Sequence, residues 1–244
     1  MARLRRIVAR AADRRAVLAP GEVILIACSG GPDSTALLDT CMRLGPPRGW
    51  ILHVAHVDHG LREGGAAEAD QVAAVVEPQG LELHRLRVTV ERGGSLQDNA
   101  RRARHGALRQ LATRIGATAI ALGHTADDQA ETVLMRALSG ATPRALRAMG
   151  ERDGVLARPL LTAWRADTAA YCLARALATV DDPSNTDSRF LRTQVRHELI
   201  PALEAVFPAA RRRLIALAEG QRRLLEDRAS PSERSPIKSA DSGC

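Results

Sequence analysis

Short, β-branched apolar runs alternate along the chain with longer stretches in which apolar residues recur every three or four positions. The runs predict strands over residues 23–28, 51–57, 81–90 and 118–122, and helices between them begin near Ser34, Gly65 and Gln97. Ahead of the first strand, Leu4, Ile7, Val8 and Ala11 fall on one face of an Arg-rich amphipathic helix over 1–15. Strands alternating with helices predict an α/β domain with a largely parallel sheet, which binds ligands at the carboxyl ends of its strands. The polar, glycine-containing segments do follow strands: one opens at Ser29, one at Asp58 and one at His124.

Further along, a helix over 126–138 precedes a Gly/Pro-punctuated loop over 139–150 and a short strand over 155–160. A helix over 164–178, a turn over 181–185 and helices over 190–204 and 209–228 follow. The tail over 229–244 is rich in Ser, Pro and charge, a composition that predicts disorder. There is no internal repeat.

With 244 residues, 45% of them hydrophobic, the chain can bury one sizeable core with a small helical appendage. Composition narrows the chemistry. Of 35 basic residues only Lys238 is a lysine, and it lies in the polar tail. A Walker-type phosphate loop and a Schiff-base lysine are therefore excluded. A coding bias accounts for arginine in place of lysine, and the net charge of +7 still favours a polyanionic partner. The aromatics are only Trp50, Trp164, Tyr171, Phe190 and Phe207, too few for a base-stacking sheet. Cys28, Cys41, Cys172 and Cys244 make no C-x-x-C pair or zinc spacing, which fits a reducing, cytoplasmic setting. No apolar run is long enough to span a membrane.

Three segments carry candidate chemistry. Ser29, Gly30, Gly31, Pro32, Asp33 and Ser34 stand between a strand and a helix, where free amides, hydroxyls and the helix dipole make a phosphate cradle. The plainer alternative is a capped turn. Asp33 repels phosphate unless a bridging Mg²⁺ intervenes. In the second segment His56, Asp58 and His59 read as metal ligands, as an inert turn, or as a nucleotide or substrate loop, the last being favoured. In the third, Thr125 and Asp128 have the spacing of a capping box, which leaves His124, Asp127 and Glu131 unexplained. Asp127 or Asp128 opposite Asp33 supplies a carboxylate pair for Mg²⁺. Between residues 97 and 114, five arginines and one acid make either a solvated basic face or one for RNA phosphates.

Ser29–Ser34 resembles the S-G-G-x-D-S signature of the N-type ATP pyrophosphatases, the PP-loop superfamily. In that family the loop grips the departing pyrophosphate, so no Walker lysine is needed. The stretch His59-Gly-Leu-Arg62 and the block Gly123-His-Thr-Ala-Asp-Asp-Gln-Ala-Glu-Thr132 are similar to segments of the tRNA(Ile)-lysidine synthetases. So are Arg158-Pro-Leu-Leu161, Asp182–Asp187 and Phe190–Pro201, in the same order. Gln97, His105, Ser139 and Thr193 depart from that family's pattern.

The resemblance implies an α/β, adenine nucleotide alpha hydrolase-like catalytic domain over 1–187 and a helical element over 188–228. It implies an ATP site from Ser29 to Ser34 with His56, catalytic Asp33, Asp127 and Asp128, and Mg²⁺ on Asp33 and Asp128. His59, Arg62, Arg101, Arg104, Arg192 and Arg196 would contact tRNA or substrate. The implied reaction joins free L-lysine to carbon 2 of the wobble cytidine of a CAU-anticodon tRNA(Ile), through an ATP-dependent adenylated intermediate. The tRNA would be held by this short chain or by a second subunit, as in a homodimer. Rival readings are a tRNA thiolase of the same superfamily, whose catalytic cysteines Cys28 is poorly placed to supply, and a non-catalytic RNA-binding protein.

Overall fold

The computed structural model describes residues 1–60, 65–90, 93, 96–180 and 189–229. Its centre is a six-stranded sheet. The strands are β1 (Val23–Ala27), β2 (Ile51–Asp58), β3 (Leu83–Arg87), β4 (Ala119–Ala121), β5 (Arg152–Asp153) and β6 (Leu156–Ala157), in the spatial order β3-β2-β1-β4-β6-β5. All neighbours run parallel except β5 and β6. The expected parallel α/β architecture is what forms, with the predicted strands over 81–90 and 155–160 trimmed to β3 and β6.

The helices are α1 (Ala2–Arg15), α2 (Pro32–Leu44), α3 (Gly65–Val76), α4 (Leu96–Ile115), α5 (Ala126–Leu138), α6 (Pro143–Leu146) and α7 (Arg165–Ala174), with α8 (Leu191–Gln194), α9 (Ile200–Val206) and α10 (Ala210–Ala229) after them. Strand alternation divides the core. Ile24 and Ile26 of β1 enter one cluster with Leu4 and Val8 of α1 and Leu37 of α2, while Leu25 enters another with Leu108 and Leu111 of α4. Because β1 and β4 are neighbours although β2 and β3 lie between them in sequence, the strand order reverses there. The carboxyl ends of β1 and β4 flank the crevice that such a reversal opens.

Three sequence expectations need correction. The loop over 139–150 contains α6, opened by Pro143 at a position where a missing N–H costs nothing. The helix over 164–178 stops at Ala174, and Ala176 takes the left-handed conformation at φ +51°. The helix over 190–204 is interrupted by a wider π turn at Val195–Leu199, in which the Ile200 N–H donates to the Val195 carbonyl. Pro201, which follows, has no N–H with which to continue the regular ladder. Leu134 of α5 packs with Val195 and Ile200, so the C-terminal helices share a small core with α5. Arg62, the turn over 181–185 and residues 230–244 lie outside the described residues.

Candidate active site

The first wall of the crevice is the loop after β1. Cys28 still donates its N–H to Ala55 of β2 at 2.9 Å, and the chain then leaves the sheet. Gly30 adopts φ +86°, a conformation glycine takes without penalty. A Cβ there would meet Val180 Cγ2 at 2.9 Å. The Gly30 carbonyl accepts from the Val180 N–H at 2.9 Å and from the Thr35 hydroxyl at 3.1 Å. Ser34 Oγ accepts from the Ser29 N–H at 3.2 Å and donates to the Gly31 carbonyl at 3.0 Å. The loop is thus held from inside, with the N-terminus of α2 directed at it. Beneath it, the buried His56 on β2 donates from Nδ1 to the Cys28 carbonyl at 3.1 Å. A carbonyl can only accept, so Nδ1 carries a proton.

Gly123 brings the opposite wall close, since a Cβ on it would stand 3.1 Å from the Ser34 amide nitrogen. Here α5 begins with Asp127, Asp128 and Glu131, all buried. Asp128 Oδ2 accepts from the Thr125 N–H at 2.8 Å and the Thr125 hydroxyl at 3.0 Å, so it closes the helix start as the sequence spacing predicts. Its Oδ1 receives Arg165 Nη2 at 2.5 Å and Arg192 Nη2 at 3.0 Å. Glu131, only 1% exposed, accepts from Arg165 at 2.7 Å, Arg192 at 2.8 Å and Arg196 at 2.9 Å. Asp127 accepts from the Arg165 N–H at 2.8 Å and from Arg211 Nη1 at 2.7 Å.

Asp33 faces this block from the start of α2. It accepts from the Thr168 hydroxyl, and its Oδ2 is 3.7 Å from Arg165 Nε. Burial, reinforced by the charges of Asp128 and Asp127, pushes its carboxyl up to about 6 against the opposing pull of Thr168 and Arg165. Asp128 goes the other way. Burial opposes its ionisation, but Arg165 and Arg192 hold it well below the usual carboxylate range.

A basic wall completes the crevice. Arg101 and Arg104 on α4 lie within electrostatic reach of Arg192 and Asp128. Arg104 Nε, Arg158 Nε, His105 Nε2 and His124 Nδ1 are buried with no hydrogen-bond partner among the described residues. Burial, with the arginines, pushes His105 down to about 4, and burial likewise lowers His124, so both imidazoles are neutral at pH 7. Unmet buried nitrogens beside a carboxylate cluster suit a ligand bearing anionic and polar groups.

The family model described as a PP-loop domain matches residues 4–203. A tRNA(Ile)-lysidine synthase of Salinispora arenicola is 41% identical over 244 residues, covering 97% of this chain and 72% of that protein. The chain belongs to the PP-loop family of tRNA(Ile)-lysidine synthases. The synthase of Thermobifida fusca is 43% identical over 81% of this chain and 62% of its own length. That of Symbiobacterium thermophilum is 42% identical over 80% of this chain and 42% of its own. This lysidine synthase relative therefore spans between two fifths and three quarters of the length of these curated proteins. Among solved structures, the U34-tRNA thiolase NcsA of Methanococcus maripaludis superposes with a TM-score of 0.75 at 17% identity, over 99% of this chain and 83% of the other. The NH3-dependent NAD synthetase of Campylobacter jejuni does so with 0.51 at 12%, over 94% and 96%. Both show the PP-loop fold.

Within this PP-loop site, Ser29–Ser34, Asp33, Asp127 and Asp128 come together as the sequence suggests. His56 lies under the loop and His59 just beyond β2, half-buried. Three of the assigned residues have protein partners in this structure. Arg192 and Arg196, assigned to tRNA or substrate, turn inward onto Asp128 and Glu131. Asp128, assigned to a metal, already has both oxygens engaged, because a buried carboxylate needs partners. Sequence reasoning missed Arg165, Thr168 and Arg211, which tie the acids of the lysidine synthase block together. Arg165 leaves one signal, being a cation in the first turn of a helix where the dipole disfavours it.

Proposed function

We propose that this chain forms lysidine: it adenylates the carbon-2 oxygen of the wobble cytidine of tRNA(Ile) with a CAU anticodon, then joins free L-lysine at that carbon. In the first step the cytidine oxygen attacks the α-phosphorus of ATP and the α–β bond breaks, releasing pyrophosphate. In the second the neutral ε-amine attacks carbon 2, AMP leaves, and the amine gives up a proton. The observation that carries this reading is the Ser29–Ser34 loop at the strand-order reversal, facing the Asp127-Asp128-Glu131 block across Asp33.

Loop amides, the Ser29 hydroxyl and the α2 N-terminus are suited to hold the phosphates. Asp33 fits a Mg²⁺, since its raised proton affinity marks a carboxylate whose charge is poorly compensated. Arg165 bridges Asp33 and Asp128 in this structure and would have to yield for both to bind one ion. When bound, Mg²⁺ supplies neutralisation of the phosphate charge. Arg101, Arg104 and Arg158 suit the phosphates of tRNA or the nucleotide, and His56 positions the loop beneath the ATP.

The thiolase reading finds no support in the cysteines. Cys28, Cys41 and Cys172 are buried and unpaired, and burial pushes the Cys41 thiol up to about 12 and that of Cys172 to about 11. Among the described residues no helix is long and apolar enough to cross a membrane, which is compatible with the cytoplasmic setting of tRNA modification. A second copy of the chain as an aid to tRNA binding belongs to the same proposal. The test incubates the protein with ATP, Mg²⁺, a tRNA(Ile) transcript and labelled lysine. Label should enter the tRNA, and Asp33→Asn should abolish it. Wild-type protein that binds ATP but leaves the tRNA unlabelled would sink the reading.

A further inference from the structure

The described part of the chain holds one group of three metal-ligating side chains, and it lies away from the crevice: His53, Glu82 and His84. Strand arithmetic brings them together. Val54 of β2 is in register with Leu83 of β3, and Ala55 with His84. Stepping back one residue sets His53 beside Glu82, and Glu82 and His84 share a face because side chains alternate along a strand. The three ligand atoms lie within 4.8 Å of one another.

Their geometry matches a small ion. His53 Nδ1 and His84 Nε2 are 3.3 Å apart. Two nitrogens bound to a tetrahedral Zn²⁺ at its usual bond length are also about 3.3 Å apart. The rings are tilted at 35° with centroids 5.5 Å apart, so they are not stacked face to face. Glu82 Oε1 is 3.5 Å from His84 Nδ1 and mostly exposed, free to swing onto an ion or to orient the imidazole from behind. Burial, His53 and Arg114 lower the proton affinity of His84 while Glu82 raises it, leaving a neutral ligand at pH 7. Arg114 is an opposing charge, and Glu82 offsets it.

We propose that His53, Glu82 and His84 bind a divalent transition metal, best matched by Zn²⁺, with water completing the shell. The two imidazole ligands select such ions over Mg²⁺. From His53 to Asp58, at the end of β2 that faces the crevice, the strand measures about 16 Å, so the ion takes no part in the active site. It fastens the edge strand β3 to β2.

Tag-free protein in excess Mg²⁺ is titrated with Zn²⁺ by calorimetry and with Co²⁺ by visible absorption. One equivalent should bind, with the spectrum of a tetrahedral nitrogen–oxygen site. His53→Ala and His84→Ala should abolish it, and Glu82→Ala, at an exposed position, should weaken it about tenfold. Absence of Zn²⁺ binding, or one equivalent held undiminished by Glu82→Ala and by whichever histidine variants fold, would overturn the proposal. The two imidazoles would then simply share a hydrogen bond.

Discussion

Asp33 is the residue whose environment is most at odds with its charge. Its folded-state proton affinity, near 6, exceeds the ordinary carboxylate value of 3.8. The fold therefore takes up a proton that the unfolded chain has not yet bound between those two values. The contribution of Asp33 itself should therefore rise as pH falls from about 7 toward 4, its charged form costing about 2–3 kcal/mol above pH 6. In Mg²⁺-free buffer, Asp33→Asn should melt above the wild type at pH 7.5, with the difference gone by pH 4. Added Mg²⁺ should narrow the gap by stabilising the wild type alone. Equal melting temperatures across that range would show that the carboxylate is not under strain. Glu131 is the opposite case, a buried carboxylate matched by Arg165, Arg192 and Arg196. Glu131→Ala strands three guanidiniums and should cost about 3 kcal/mol by urea denaturation, while Glu131→Gln should cost less.

Among elements, α5 carries the most. Its first turn serves two ends at once, because one Asp128 oxygen closes the helix and the other faces Arg165 and Arg192. Thr125→Ala removes one of the two donors to Asp128 Oδ2 and should destabilise the fold by about 1 kcal/mol. Activity should fall further than that loss of stability explains, since Asp128 is then held by one fewer bond at Oδ2, and parallel denaturation and lysine-incorporation assays separate the two effects. The capping role was legible from the Thr125–Asp128 spacing, and the tight strand-to-helix loop from Gly30 and Gly31 between β1 and α2. The partners of the acids were not legible. Arg165, the Arg192–Arg196 pair and Arg211 sit on three different stretches of chain, and only tertiary folding brings these to the acids. The π turn before Pro201 was equally hidden, because apolar periodicity does not register one extra residue in a turn.

For the whole molecule, the alternation of strands and helices was enough to foresee a parallel sheet with chemistry at its carboxyl edge. It did not foretell that β4 lies against β1, which is what makes the loops after those two strands face each other. The net charge of +7 belongs to this scale too. With Arg192 and Arg196 engaged on Asp128 and Glu131, the proposed tRNA contact rests on Arg101 and Arg104 of α4. Affinity for tRNA should fall more than about tenfold between 50 and 200 mM salt, and Arg101→Ala should lower the slope of log affinity against log salt by about one. Salt-indifferent binding, followed by filter retention, would contradict an arginine interface.

The ion pairs between α5 and the later helices also have a meaning in time. They join residues separated by 61 to 84 positions in sequence, and the carboxylates are made first. As the chain leaves the ribosome, the sheet, the loop and all three acids precede Arg192, Arg196 and Arg211. Until those arginines arrive, the acids on α5 have only the part of their compensating charge that Arg165 supplies. A chain interrupted before Arg192 would own every strand and still be unable to finish its crevice.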